Sequence, residues 1–413
     1  MITERKQIQC KYLYYCTLVI YISLLFVFQT ELRSHLSKTA QQGLQLGRYV
    51  CYLLFAVKIV LEQVYKKKYM LAFSIGLVSA VLCMFSSDNR GIFFTMMTLV
   101  AGYNCSWKKV LKIFTTVFAV GLLTTILLCR LHVFEDMILD EVRMRHNLGF
   151  NWVTLAPIYM LFVCIGYVNI RKNRSRLVLL GLWGISFILY RYTDTRLTFL
   201  LTSLFLFGIL IQSRKERKQW RIIKAFQKPL WILPFVIFVV IMIAQKMYTP
   251  GVGIWDKLNS LLSDRLLLAH NSLNDLPTTI FGQAISWQGF SLSAGVLDNP
   301  NLLEYNNVDC SYIRLMFDYG VIGILIIMTI YALGIKKAVK MKNYLLVWSY
   351  IVVLVFCITE QWMMELSFNM MPLVAIVSLH EKYSEKEQQK NQYIEVCLPY
   401  ILEIEARSPI NED

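Results

Sequence analysis

Charged residues make up only 17% of this 413-residue chain, and proline is scarce at nine residues, whereas 56% of residues are hydrophobic and 14% aromatic. So little charge excludes a soluble domain of ordinary composition, in which about a quarter of residues are charged. No C-x-x-C pair occurs among the ten cysteines, so the common zinc and redox arrangements are excluded. Most cysteines lie inside apolar runs (Cys16, Cys51, Cys83, Cys164, Cys357) and read as small core residues; Cys129 and Cys310 are the two expected near an outer surface. Nor does the chain contain GxxxxGK[ST], HExxH or GxSxG, so nucleotide hydrolysis by a P-loop, zinc peptidase and lipase chemistry have no motif behind them. Ionisable residues inside the apolar runs are few. Lys58 and Glu62 are the clearest, and their i, i+4 spacing lets them pair with each other; a proton-driven transporter calls for more such groups at mid-membrane.

What is present is a succession of apolar runs, each long enough as a helix to approach or cross a hydrocarbon core of about 30 Å. They fall near 12–28, 46–64, 70–85, 91–104, 113–129, 152–170, 177–190, 197–211, 230–244, 312–333, 344–359 and 363–379. The expected fold is therefore all-α: a polytopic helical membrane protein with about 12 transmembrane helices. One large external loop, 245–311, separates helices 9 and 10. The membrane domain spans 1–381 and a tail rich in Glu, Lys and Gln occupies 382–413. The first run follows Arg5, Lys6 and Lys11 as a signal peptide would, but no small-residue cleavage site follows it, so a retained helix is expected.

Basic clusters set the orientation. Lys66 to Lys68, Lys108 with Lys109 and Lys112, Arg171 to Arg176, Arg214 to Lys228, and Lys336 to Lys342 all fall on one side of this twelve-span arrangement. The positive-inside rule makes that side, with both termini, the cytoplasm. The net charge of +15 thus reflects topology. Nucleic-acid binding, the usual alternative for a basic chain, finds no patch of interleaved aromatic and basic residues and no soluble domain.

The kind of basic residue is also unevenly distributed. Cytoplasmic positions hold 20 Lys and 8 Arg, external positions 3 Lys and 10 Arg. Guanidinium groups fork bidentately onto phosphate and carboxylate, so an external anionic ligand is one reading. Pairing with external acids such as Glu135, Asp136, Asp140 and Glu141, or snorkelling to lipid headgroups, is the other.

Three external segments combine polar side chains with helix ends. The first, 130–151, carries Arg143, Arg145 and His146 ahead of LGFNW. The second, YRYTDTRLTFLL, places Arg191, Asp194 and Arg196 between two spans, with Arg196 in the first turn of a helix, where backbone N–H groups favour an anion. The third is the 245–311 loop, long enough to carry short helices, with Arg265 and His270 in LLSDRLLLAHNSL, then IFGQAI, then NNVDCSYIRLMFDYG entering the tenth span. Loops this long in a compact fold are usually functional.

The order of these segments resembles the Wzy-type oligosaccharide repeat-unit polymerases of capsule, exopolysaccharide and O-antigen synthesis and, more distantly, the O-antigen ligases. The resemblance covers most of the chain and rests on His146 to Trp152, Thr193 to Arg196, the LSxR element Leu262 to Arg265, the IFG element Ile280 to Gly282, and Asp309, Ser311, Tyr312 and Gly320. It implies a glycosyltransferase of the bacterial plasma membrane, working on its outer face. There it joins repeat units carried on polyprenyl (undecaprenyl) diphosphate by metal-independent, inverting transfer, with no cofactor. Lipid-linked oligosaccharides are the implied substrates, membrane lipids the surroundings, and chain-length regulator and flippase proteins the candidate partners.

Arginines Arg196, Arg265 and Arg314, with Arg143 and Arg191, then become candidates to neutralise charge building on the diphosphate leaving group. The ligases carry a His-Asn pair where this chain has Asp309 and Cys310, so no histidine base transfers across. Asp309 is the first candidate base and His270 the second; Asp309 also reads as a helix N-cap. Trp255, Trp287 and Tyr312 are candidates to stack on sugar rings. A ligase, or a flippase moving lipid-linked oligosaccharide without bond chemistry, remains the alternative; a flippase calls for paired repeats, and none is visible.

Overall fold

The computed structural model describes residues 2–63, 70–139, 143–171, 174–212, 228–262, 264–287 and 306–380. Lys66 to Lys68, Asp140, Glu141, Lys172, most of the Arg214 to Lys228 stretch, Ser263 of the LSxR element and the 382–413 tail lie outside them.

The described chain is all-α apart from one two-stranded ribbon. Its helices are α1 (Ile2–Val27), α2 (Leu32–His35), α3 (Lys38–Gln63), α4 (Met70–Ser87), α5 (Gly91–Gly102), α6 (Trp107–Arg130), α7 (Leu155–Ile170), α8 (Arg176–Thr193), α9 (Arg196–Gln212), α10 (Leu233–Met247), α11 (Gly253–Leu261), α12 (Arg265–Asp275), α13 (Ser311–Lys340), α14 (Tyr344–Phe356) and α15 (Met371–His380). The ribbon pairs β1 (Ile138–Leu139) with β2 (Arg145–His146). Among the described residues five helical segments are long and apolar enough to cross a bilayer: Ile8–Val27, Lys38–Glu62, Trp107–Arg130, Leu230–Met247 and Ser311–Lys340. Helices satisfy every backbone group internally, which hydrocarbon demands. The outward side of α3 shows what surrounds it: Leu46, Tyr49, Val50, Leu53, Val57 and Val60 are all exposed along one helical stripe. A face of that kind is stable against lipid and not against water; the chain is a membrane-embedded helical protein.

Between helices the contact is close packing, because lipid gives no hydrophobic drive for helix association. Phe26 of α1, Phe118 of α6 and Tyr159 of α7 form one aromatic cluster, with Phe26 and Phe118 each within 5 Å of the Tyr159 ring between centroids. Buried polar side chains add cross-links: Asn169 of α7 donates to the Ser349 hydroxyl of α14 (2.8 Å). Lys58, fully buried on α3, pairs with Glu62 at 2.6 Å and also donates to the Ala101 and Tyr103 carbonyls at the end of α5. The expected pairing is present, and it also caps a helix whose last carbonyls would otherwise be unsatisfied.

Two departures from the expected segments shape the site. The run expected to be helical over 363–379 is helical only from Met371; residues 357–370 form irregular, largely buried backbone. Such backbone is tolerated only where protein satisfies it, and here side chains do. The Tyr331 hydroxyl donates to the Met363 carbonyl, the Met363 N–H donates to Ser311 Oγ, and Asn369 Oδ1 accepts from the Met371 N–H. The second departure is a break in α13 at Gly320, which adopts φ 69° and ψ −175°. The N–H groups freed past the break, on Val321 and Ile322, donate to the carbonyls of Thr279 and Ile280 at 3.0 and 3.1 Å. The extended IFG segment is thereby docked into the break.

Candidate functional site

Residues from five of the loops expected on the outer side line a single cavity of about 1280 Å³. The loop between α1 and α3 supplies Gln29 and Arg33, with Arg48 from the first turns of α3. The segment before α7 supplies Arg143, Arg145, Asn151 and Trp152, and the α8–α9 corner supplies Asp194 and Arg196. The large loop contributes Lys257, Arg265, Asn307 and Asp309, and the turn after α14 contributes Glu360, Gln361 and Trp362. Seven basic and three acidic side chains face the same space, a surplus that favours an anionic occupant.

The HNLGFNW segment is a clasp. Asn147, fully buried, donates to Glu31 Oε1 (3.1 Å) and the Phe150 carbonyl (2.8 Å), and its Oδ1 accepts from the Met137 and Gly149 N–H groups. Gly149 holds φ +78°, a conformation that favours glycine. Asn151 donates to the Phe28 carbonyl, and Phe150 packs against Phe26 and Tyr159. Burial pushes the Glu31 carboxyl up, against the bonds from Asn147 and the Glu135 N–H. This segment therefore fixes the wall from which Arg143 and Arg145 project.

At the α8–α9 corner Asp194 sits in the left-handed region (φ 45°, ψ 39°) as the turn between two helices. Its carboxylate accepts from Arg143 (Nη2 at 2.6 Å) and from Arg196 (Nε at 3.2 Å). Arg145 reaches the Thr193 carbonyl. Partial burial would raise the Asp194 pKa, but the bonds from Arg196 and Arg143 outweigh it and hold the carboxyl below its ordinary value. Asp194 thus anchors two guanidinium groups, and Arg196 keeps 74% of its side-chain exposure.

In the same cavity Arg265, the first residue of α12, bridges two carboxylates. Its Nε donates to Asp309 Oδ2 at 2.9 Å and its Nη2 to Glu360 Oε1 at 3.4 Å. Asp309 Oδ1 also accepts from Asn307 (3.0 Å), so both its oxygens are engaged. The N-cap of α13 is Cys310, without a side-chain cap bond; Asp309 points to Arg265 instead of capping the helix. Ser311 explains how Glu360 comes to be there. Its hydroxyl donates to the Glu360 carbonyl, and its N–H donates to the Cys357 carbonyl (3.0 Å), which ties the turn after α14 to the start of α13. Trp362 donates its indole N–H to Glu360 Oε2 at 3.2 Å.

Of the residues expected to act as base, to bind diphosphate or to stack on sugar, Arg143, Arg196, Arg265 and Asp309 come together in the cavity. The others lie elsewhere. Arg314 is not part of the lining; it pairs with Asp318 (2.9 Å) and Asn307 and stacks over the Trp287 ring at 4.3 Å. Trp287 donates to Asp318 and is that arginine's platform. Tyr312 is fully buried and donates to the Leu354 carbonyl at 3.0 Å, leaving no face for a sugar. Trp255 packs edge-on to Tyr248. Arg191 is exposed near the end of α8, outside the cavity lining. His270 Nδ1 donates to the Gln245 carbonyl (2.7 Å) and its other nitrogen accepts from Asn274 (2.9 Å), and the residue lies outside the cavity lining. Cys129 and Cys310 are free and buried.

Glu360, Arg33, Arg48 and Trp362 were not singled out by motif. Glu360 had one signal, an acid in the short turn between two apolar runs. Arg48 had another, an arginine one turn into an apolar run; its guanidinium lies over the Phe28 ring at 4.4 Å and its buried Nε has no hydrogen-bond partner. Among the described residues no group of three or more His, Cys, Asp or Glu side chains is arranged to hold a metal. Comparison with known proteins finds no matching family model, no matching curated protein and no matching solved structure.

Proposed function

We propose that this chain is a membrane-embedded glycosyltransferase that polymerises oligosaccharide repeat units carried on polyprenyl diphosphate. It crosses a bacterial plasma membrane twelve times with both termini in the cytoplasm, and it works on the outer face. The observation that carries this is the make-up of the cavity lining. Arg33, Arg48, Arg143, Arg145 and Arg196 share it with a carboxylate pair, Asp309 and Glu360, bridged by Arg265.

Those two features answer the two demands of the reaction. Breaking the bond between an anomeric carbon and a diphosphate builds negative charge on the leaving group, and preorganised guanidinium groups stabilise that charge. The attacking sugar hydroxyl is a poor nucleophile until a base within hydrogen-bond reach removes its proton. In this assignment Arg143 and Arg196, fixed by Asp194, and the neighbouring Arg33, Arg48 and Arg145 face the diphosphate. Arg265 serves the carboxylates, and Arg314 supports the loop through Asn307. Trp152 and Trp362, which line the cavity, replace Trp255, Trp287 and Tyr312 as candidate platforms for sugar rings.

The test is turnover of a lipid-diphosphate-linked repeat unit by the purified chain, read as a ladder of polymer on gels. A ladder that fades in Arg143→Ala and Arg265→Ala variants supports the assignment. Absence of a ladder, with the same lipid moving between leaflets of proteoliposomes, overturns it in favour of a flippase. Transfer to a different acceptor without self-polymerisation makes the chain a ligase.

A further inference from the structure

Two carboxylates share one arginine in the cavity, and they are not equivalent. Asp309 is bound on both oxygens, by Arg265 Nε at 2.9 Å and Asn307 at 3.0 Å. Glu360 is also bound on both oxygens but at longer distances, Oε1 by Arg265 Nη2 at 3.4 Å and Oε2 by the Trp362 indole at 3.2 Å. It is 6% exposed yet lines the cavity. The Ser311 hydroxyl bound to its carbonyl fixes its backbone. A locked carboxylate beside a looser, desolvated one is an arrangement that separates a positioning role from a proton-accepting one.

We infer that Glu360 accepts the proton of the acceptor sugar's hydroxyl during glycosyl transfer, with Asp309 and Arg265 as positioning residues. This rests on the polymerase function proposed above. As the acceptor oxygen bonds to the donor's anomeric carbon, the bond from that carbon to the diphosphate oxygen breaks and its electron pair leaves with the diphosphate. The hydroxyl proton passes to a Glu360 carboxylate oxygen and then to water, which restores the base.

The charged and titratable groups facing Glu360 are Arg265 of α12, Asp309 on the segment entering α13, and Cys357 at the end of α14. Burial raises the Glu360 pKa, Arg265 opposes the rise and Asp309 adds to it, bringing it to about 7. A base of that strength is ionised in a useful fraction at neutral pH and still binds a proton well.

The experiment measures polymer formation against pH with the full-length protein in nanodiscs, using a lipid-diphosphate-linked repeat unit as substrate. The variants are Glu360→Gln, Glu360→Asp and Asp309→Asn. Wild-type rate is expected to rise with pH through about 7. Glu360→Gln should lower kcat by about 100-fold or more while binding the lipid substrate within about threefold of wild type. Glu360→Asp should recover part of the rate, which a misfolded protein would not. Asp309→Asn should keep turnover within about tenfold. Its rising limb should move to lower pH, because the negative charge opposing ionisation of Glu360 is gone. A fully active Glu360→Gln, or an Asp309→Asn variant without activity beside an active Glu360→Gln, overturns the assignment and leaves the polymerase standing. A wild-type protein that makes no polymer overturns both.

Discussion

Gly282 and Gly320 meet backbone to backbone: a β-carbon on Gly320 would run into the Gly282 nitrogen, and one on Gly282 into the carbonyl of Asp318. Both residues also hold positive φ, +93° and +69°. The contact docks the loop that follows α12 into the break of α13, and Ser86 of α4 secures it from the far side by donating to the Gly282 carbonyl at 2.7 Å. Because α12 begins with Arg265 and α13 follows Asp309, this junction fixes the two elements whose ends form the ion pair.

Replacing either glycine by alanine is therefore expected to damage the fold first and the site second. Gly320→Ala combines a backbone conformation nearly exclusive to glycine with a clash against main chain that has nowhere to go, at about 2 to 5 kcal/mol. The check is thermal unfolding in detergent beside Gly181→Ala, where a β-carbon meets nothing within 4 Å. An unchanged Tm for Gly320→Ala would show that the junction is not rigid.

Arg48 offers a test of the cationic lining. Its guanidinium is held over Phe28, faces the cavity and leaves a buried Nε unpartnered. A phosphate oxygen would supply the missing acceptor. Arg48→Ala is expected to weaken binding of a fluorescent polyprenyl diphosphate by about tenfold or more. Arg48→Lys should restore only part, because an ammonium cannot fork. Equal affinities for wild type and Arg48→Ala at low salt would remove this arginine from the anion site.

The helical architecture was legible in the sequence because a bilayer imposes long apolar runs, and each of the expected runs carries helix in the structure. Arg143, Arg196, Arg265 and Asp309 were legible as polar groups next to helix ends. The boundary at 363 was not: Met363, Met364, Leu366 and Phe368 are as apolar as any span, and side-chain bonds to Ser311 and from Tyr331 and Asn369 hold the irregular backbone there. Glu360 was hidden for the same reason, since its neighbours Arg265 and Asp309 lie 95 and 51 positions away in the chain and no local pattern connects them. Arg314, Trp287 and Tyr312 carry the right chemical types for a ligand, but the fold spends them on one another and on backbone carbonyls.

Asp194 gives a pH-dependent signature of the corner. Its folded-state pKa lies below the ordinary value of 3.8, so its contribution to stability is complete above that value. The contribution is lost as pH falls through the lower folded-state value. Asp194→Asn should lower Tm modestly at pH 7, by an amount matching about 1 kcal/mol or less for so accessible a pair, and the two proteins should converge in strong acid. A difference that persists undiminished at the lowest pH would mean that the loss arises from the turn geometry instead of from charge.

Glu360 should behave in the opposite sense. Its pKa of about 7 lies above the ordinary 4.5, so the folded protein binds the proton more tightly than the unfolded chain. Ionisation then weakens the fold: stability from this group is full below about pH 4.5 and is lost progressively as pH rises to about 7. Glu360→Gln keeps the neutral shape and removes that loss, so the variant should match wild type in Tm at pH 4.5 and exceed it at pH 8. A catalytic base kept in a desolvated site at the expense of stability has this profile. A Glu360→Gln variant no more stable than wild type at pH 8 would mean that Arg265 and Trp362 already compensate the buried charge, and the carboxylate would then be an ordinary partner of the ion pair.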